Sequence, residues 1–205
     1  MHTKMQYENA LSFWTLSFEY LMLVENVARE IAAQGNNWII VDDYPIEEAE
    51  YEERTRWSDH RIIIPLLFNL YHGIELLVKG FLLADGCMRP GHKLLRLRQL
   101  FSEKYPDERE LNSFFAKYTD PQSMPPVLKE FLDSNHLGFQ DLYEALRYPS
   151  DLNFNAFNSY ISLKYNGKDG IEFFKRLQQD IISARIAARK LGLILEQEAN
   201  TSKLD

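Results

Sequence analysis

A single cysteine, Cys87, stands in 205 residues. One thiol cannot close an intramolecular disulfide, which points to a reducing cytoplasm. No Gly-rich phosphate loop, CxxC pair or GxSxG elbow occurs. The usual nucleotide-fold, zinc-ribbon and serine-hydrolase readings fall away with them. Positive charge is in short supply, with 23 Lys and Arg against 30 Asp and Glu and a net charge of −7. That balance argues against tight binding of nucleic acid through bulk charge, though not against a local basic patch. The opening Met1-His2-Thr3-Lys4 lacks the charged-then-apolar layout of a signal peptide. The longest apolar stretch, 61–83, is interrupted by Asn69, His72, Glu75 and Lys79. It therefore falls short of the roughly 20 apolar residues of a membrane span and reads as the buried helix of a soluble protein.

What is present suits a globular chain. Hydrophobic residues make up 45% and charged residues 26%, so a real core is expected rather than disorder. Thirteen Phe and eleven Tyr would fill that core with rings and leave some for a surface.

Periodicity predicts helices. Leu11, Trp14, Phe18, Leu21, Leu23, Val27 and Ile31 recur at helical spacing over 7–34, and Gly35-Asn36-Asn37 is a stop signal. Trp38-Ile39-Ile40-Val41 suggests a brief extended segment, followed by an acidic stretch through Glu53. That stretch reads as a solvated linker or helix face; its sharper reading is an arm that docks on a basic patch. The most strongly patterned helix covers 59–85, with Ile63, Leu66, Leu67, Leu70, Ile74, Leu77, Val78 and Phe81 on one stripe. Ser58 or Asp59 can cap it, and Pro65 fits only in its first turn or at a kink. Glu75 and Lys79 are four apart with the acid first, the favourable order for a helix ion pair. Shorter helices are predicted over 94–104, 108–116, 126–134 and 141–146. A final helix runs over 171–196. Between them, Tyr160 to Tyr165 alternates and ends in Asn166-Gly167, a pattern compatible with a small hairpin.

Candidate chemistry is sparse. His72 and Glu75 are three apart on one helix face, but di-iron bundles use Glu-x-x-His in two copies. The order here is reversed and unrepeated, so no metal and no cofactor are expected. Residues 89–98 form a basic segment, and Lys175, Arg176, Arg185, Arg189 and Lys190 give the last helix a second basic face. The plain reading of both is a solvated surface; the sharper one is a phosphate or RNA contact.

Three short motifs, in order, resemble the HEPN superfamily. Leu70-Tyr71-His72-Gly73-Ile74-Glu75-Leu76-Leu77-Val78-Lys79 is similar to that family's second helix, with its Glu-Leu-x-x-Lys core. Gly91-His92-Lys93-Leu94 is similar to the Gly-His-x-Leu that opens the next helix, and Leu146-Arg147-Tyr148-Pro149 to an Arg-Tyr element before the last one. The resemblance implies an antiparallel helical bundle that usually dimerises. Many members are metal-independent ribonucleases of toxin–antitoxin, phage-defence or CRISPR systems; others bind nucleotides, RNA or proteins without catalysis. The nucleases carry an arginine followed four to six residues later by histidine. Here Arg147 is followed by no histidine, and Asn153 takes a permitted position without being able to shuttle a proton. Arg54 and His60 match the spacing, but ahead of the central helix, where the family does not place it.

The sequence expectation is an all-α fold: an antiparallel HEPN-like bundle of four to five main helices, with short extra helices and room for a hairpin. It is taken as one domain over 1–205, with an acidic linker at 42–57, an irregular helical insertion at 106–139 and a frayed tail at 199–205. The lone cysteine and the broken apolar run lead to a cytoplasmic chain without membrane contact, and the missing histidine to a non-catalytic module; the resemblance implies a homodimer binding RNA, a nucleotide or a protein in a defence or toxin–antitoxin setting. Arg147, Tyr148, Asp151, Asn153, His92 and Lys93 are its expected binding residues, and His72, Glu75 and Lys79 its helix-face motif. The alternative is an unusual metal-independent ribonuclease, with Arg147 on the phosphate and His72 or His92 brought in from elsewhere.

Overall fold

The computed structural model describes residues 4–87, 91–151 and 153–201. Among them it is all-α, with eight helices and no strand. These are α1 (Lys4–Ala33), α2 (Glu48–Thr55), α3 (Asp59–Ala84), α4 (Leu94–Lys104), α5 (Arg109–Thr119), α6 (Pro126–Ser134), α7 (Phe139–Ala145) and α8 (Gly167–Thr201). The helices divide between two compact units, each built from separate pieces of chain. The first takes Met1–Met22, Asn69–Met124 and Asp180–Asp205; the second takes Leu23–Phe68 and Pro125–Gln179.

The first unit is organised by aromatic rings. Trp14 of α1 lies 4.9 Å from Phe81 of α3, Phe81 lies 5.5 Å from Phe101 of α4, and Phe101 lies 5.0 Å from Phe115 of α5. Offset and edge contacts of this kind add to the burial of the rings themselves. α1 and α3 come close enough that Gly80 has no room for a Cβ, which would collide with the Trp14 indole. One turn further along α1 and two turns back along α3, the Ser17 hydroxyl donates to the Gly73 carbonyl at 2.7 Å. Lys117 and the Tyr118 hydroxyl both reach Asp180, fastening α5 to α8.

The second unit is organised by a buried polar junction. Asp59 accepts from Asn36 Nδ2 at 2.9 Å, from the Tyr165 amide at 3.0 Å and from the Asn166 amide at 2.8 Å. Its own amide donates to Asn36 Oδ1 at 2.7 Å. Asn36 Nδ2 also donates to the Gly167 carbonyl at 2.7 Å. The end of α1, the start of α3 and the start of α8 are thereby locked together, and buried polar groups are satisfied as they must be. A stacked pair, Phe68 and Tyr143 at 5.4 Å, joins α3 to α7.

Several sequence expectations change in detail. The acidic stretch holds α2, where Arg54 pairs with Asp42 and Glu50, so part of 42–57 is ordered helix. Pro65 lies inside α3 beyond the first turn, on an exposed face. No hairpin forms over 160–165. Those residues turn, and the Asn166 carbonyl receives the amides of Asp169 and Gly170. An Asn-Gly pair suits a hairpin turn and a helix start alike; Asp59, over a hundred residues earlier, decides for the helix by holding the Asn166 amide. α8 consequently begins at Gly167 and continues to Thr201, into the stretch expected to fray, whose last residues 202–205 lie outside the described residues. By composition α3 is long and apolar enough to cross a membrane, but 61% of its apolar window is buried within the protein.

Candidate functional site

The helix-face motif and the Gly-His motif converge in the first unit. Glu75 and Lys79 form an ion pair on α3, with side chains only 6% and 9% exposed. His92 reaches them from the segment before α4, its Nδ1 2.7 Å from Glu75 Oε1 and 3.3 Å from Lys79 Nζ. The His92 side chain is 78% exposed, so one side of the cluster faces solvent. Gly91, at φ +132°, adopts a backbone conformation that favours glycine. Arg89 and Pro90 of the predicted turn lie outside the described residues. His72, one turn before Glu75, packs edge-on against Tyr20 at 4.7 Å. Burial pushes its imidazole below the usual histidine range, Glu75 pulls it back up, and the charges of Lys79 and His92 lower it further.

The Arg-Tyr motif belongs to the second unit, in an irregular stretch between α7 and α8. The Arg147 guanidinium lies 5.1 Å from the Tyr148 ring, and its Nη2 donates to the Tyr148 hydroxyl at 3.3 Å. Both side chains are exposed. The backbone beneath them is held by side chains. The Tyr148 carbonyl accepts from Asn158 Nδ2 and the Tyr160 hydroxyl, and the same hydroxyl donates to the Ala145 carbonyl at 2.6 Å. Asp151 Oδ1 accepts the amides of Asn155 and Ala156, and Ser150 bridges Phe157. Phe154 is held at φ +56°, a conformation a bulky residue rarely adopts. Its ring is 74% exposed, and that of Phe157 70%.

Below this loop is a pocket of about 350 Å³, lined by Asn135, Asp141, Glu144, Ser150, Asp151, Asn153, Phe157 and Asn158 together with Leu137, Ala145 and Ala156. Asp151 and Asn153, expected as site residues, line it, while His92 and Lys93 belong to the first unit. Phe154, Phe157, Glu144 and Ser150 carried no motif. The available signal was the alternation Asn153-Phe154-Asn155-Ala156-Phe157-Asn158, which puts rings and amides together where no helix can bury them.

The basic faces are largely engaged locally. Arg98 pairs with Asp120 and Arg176 with Glu172, while Arg185 and Arg189 lie over the Phe18 ring. His60 does not meet Arg54 in an acid–base arrangement: Arg54 is held by carboxylates, and His60 packs 4.8 Å from Tyr165. Among the described residues no three His, Cys, Asp or Glu side chains converge as metal ligands. No protein-family model, curated protein or solved structure matches the chain.

Proposed function

We propose that this chain is a non-catalytic, HEPN-like module that binds single-stranded RNA through the loop around Arg147. The observation that carries the reading is the exposure of Tyr148, Phe154 and Phe157 beside Arg147 on one short loop whose backbone is fixed by side-chain hydrogen bonds. Unpaired bases stack on such rings whatever their sequence, and a guanidinium adds a cation for the backbone or a second stacking plane. The HEPN-like part is supported by the meeting of Glu75 and Lys79 from one motif with His92 from the other. The setting in bacterial defence or a toxin–antitoxin pair rests on the resemblance.

Fluorescence anisotropy with labelled uridine-rich strands in EDTA tests the RNA reading. Saturable binding is expected, weakened by about 1–3 kcal/mol in Tyr148→Ala and in Phe157→Ala, the worth of one stacked base. No binding overturns the reading. Cleavage in EDTA that vanishes in Arg147→Ala would replace it with the ribonuclease reading.

The module is proposed to act as a homodimer. An apolar groove of about 300 Å³ between α1 and α8 of the first unit is lined by Tyr7, Leu11, Trp14, Phe18 and Leu193, with Leu11 and Leu193 exposed. An apolar surface of this kind supports self-association. Light scattering at tens of micromolar should return twice the chain mass; a mass near 24.1 kDa rejects the dimer.

A further inference from the structure

We infer that two copies of this chain pair through the groove between α1 and α8, turned end for end, with Arg189 of each copy opposite Glu196 of the other. This rests on the dimer reading above and specifies its surface and its geometry. The floor of the groove is small and its middle is apolar. Gly192 of α8 lies against the Trp14 indole, so that an added Cβ would sit 3.8 Å from the ring. Leu11 and Leu193 rise beside that floor, 42% and 59% exposed. Both walls of the groove therefore carry an apolar side chain that gains by being covered.

The two ends of the groove differ in charge. At one end the Arg185 and Arg189 guanidinium groups lie over the Phe18 ring, at 5.9 and 5.6 Å. At the other end Glu196 comes near Tyr7. Burial pushes the Tyr7 hydroxyl above its ordinary range, and the Glu196 charge adds to the rise. Arg189 and Glu196 are both exposed and lie two turns apart on one face of α8. A partner of a single sign would be drawn to one end and repelled at the other. A second copy satisfies both ends at once.

Charge also selects the orientation. An isologous pair brings the same patch together from both sides, related by a two-fold axis. An axis along the groove would set Arg189 against Arg189 and Glu196 against Glu196. An axis across the groove sets each Arg189 against the second copy's Glu196. The spacing suits that second axis. Arg189 stands three residues before Gly192, and Glu196 three residues after Leu193. On α1, Tyr7 stands four residues before Leu11, and Phe18 four residues after Trp14. Turned end for end, Leu193 faces the second copy's Gly192, a side chain over a position that has none. Tyr7 likewise faces the second copy's Phe18, ring against ring.

The test is a charge exchange, read by sedimentation at low ionic strength, where surface charges are least screened. It compares the full chain, Arg189→Glu, Glu196→Arg and an equimolar mixture of the two variants. The parent should be a dimer. Each variant alone should dissociate at a concentration at least about tenfold higher, because both of its contacts set like charges together. The mixture should return to the parental affinity, since every contact between the two variants again joins opposite charges. Both positions are exposed on a helix, so the variants should fold, and far-ultraviolet circular dichroism verifies it. Variants that dimerise as tightly as the parent, or a mixture no tighter than its components, overturn the inference while leaving the dimer reading intact. A parent that is not a dimer overturns both.

Discussion

Glu75→Ala is expected to lower the unfolding free energy by about 3–5 kcal/mol, the cost of leaving one buried charge without its partner. Lys79 is 9% exposed and is paired with Glu75 on its own helix. Removing the carboxylate strands the ammonium in the first unit's interior and leaves His92 as its one described contact. The control is the double variant Glu75→Met, Lys79→Met, which removes both charges at similar volume and should lie close to the parent. Urea unfolding of the three proteins, followed by circular dichroism, gives the comparison. If the single variant is as stable as the parent, the pair is not the buried element described here.

A comparable loss is expected for Asp59→Ala in the second unit. Three donors, Asn36 Nδ2 and the Tyr165 and Asn166 amides, would lose their acceptor together. Each buried donor left unmade costs about 1–3 kcal/mol, so the total should be about 3 kcal/mol or more. For a chain of this length that is a fall in melting temperature of roughly 6–12 °C. Asp59→Asn keeps one side-chain oxygen and should recover part of the loss. A drop under about 1 kcal/mol in the alanine variant would mean that water replaces the carboxylate, and that the start of α8 is held by other contacts.

The long helices were legible because burial imposes a period, and α1, α3 and α8 each carry an apolar stripe that the sequence displays. The same patterning could not place Glu75 and Lys79. Their spacing marks an ion pair, which on an isolated helix would face solvent; in the folded chain it is buried, and His92, thirteen residues beyond Lys79, meets it. The start of α8 was hidden for a similar reason. Asn166-Gly167 is locally ambiguous, and its decisive partner, Asp59, is remote in sequence. Within the candidate site, Arg147 and Tyr148 were legible through their likeness to a family element. Glu144, Ser150, Phe154 and Phe157 were not, because the loop has no period. Its shape comes from hydrogen bonds by Asn135, Asp151, Asn158 and Tyr160 to the backbone, and such bonds leave no repeating mark in a sequence.

The bond from Asn36 to the Gly167 carbonyl also sets a clock. Its ends are 131 residues apart. During synthesis at roughly 5–20 residues per second, the C-terminal end of α1 must wait on the order of ten seconds before its partner is even made. The first unit waits longer, since it also needs residues from Asp180 onward. Through that interval Tyr7, Leu11, Trp14 and Phe18 of α1 lack the α8 residues Ala188, Gly192 and Leu193 that share their groove. The nascent chain therefore spends its early life as a target for chaperones, and a ribosome that stalls before Gly167 releases a product in which neither unit can close.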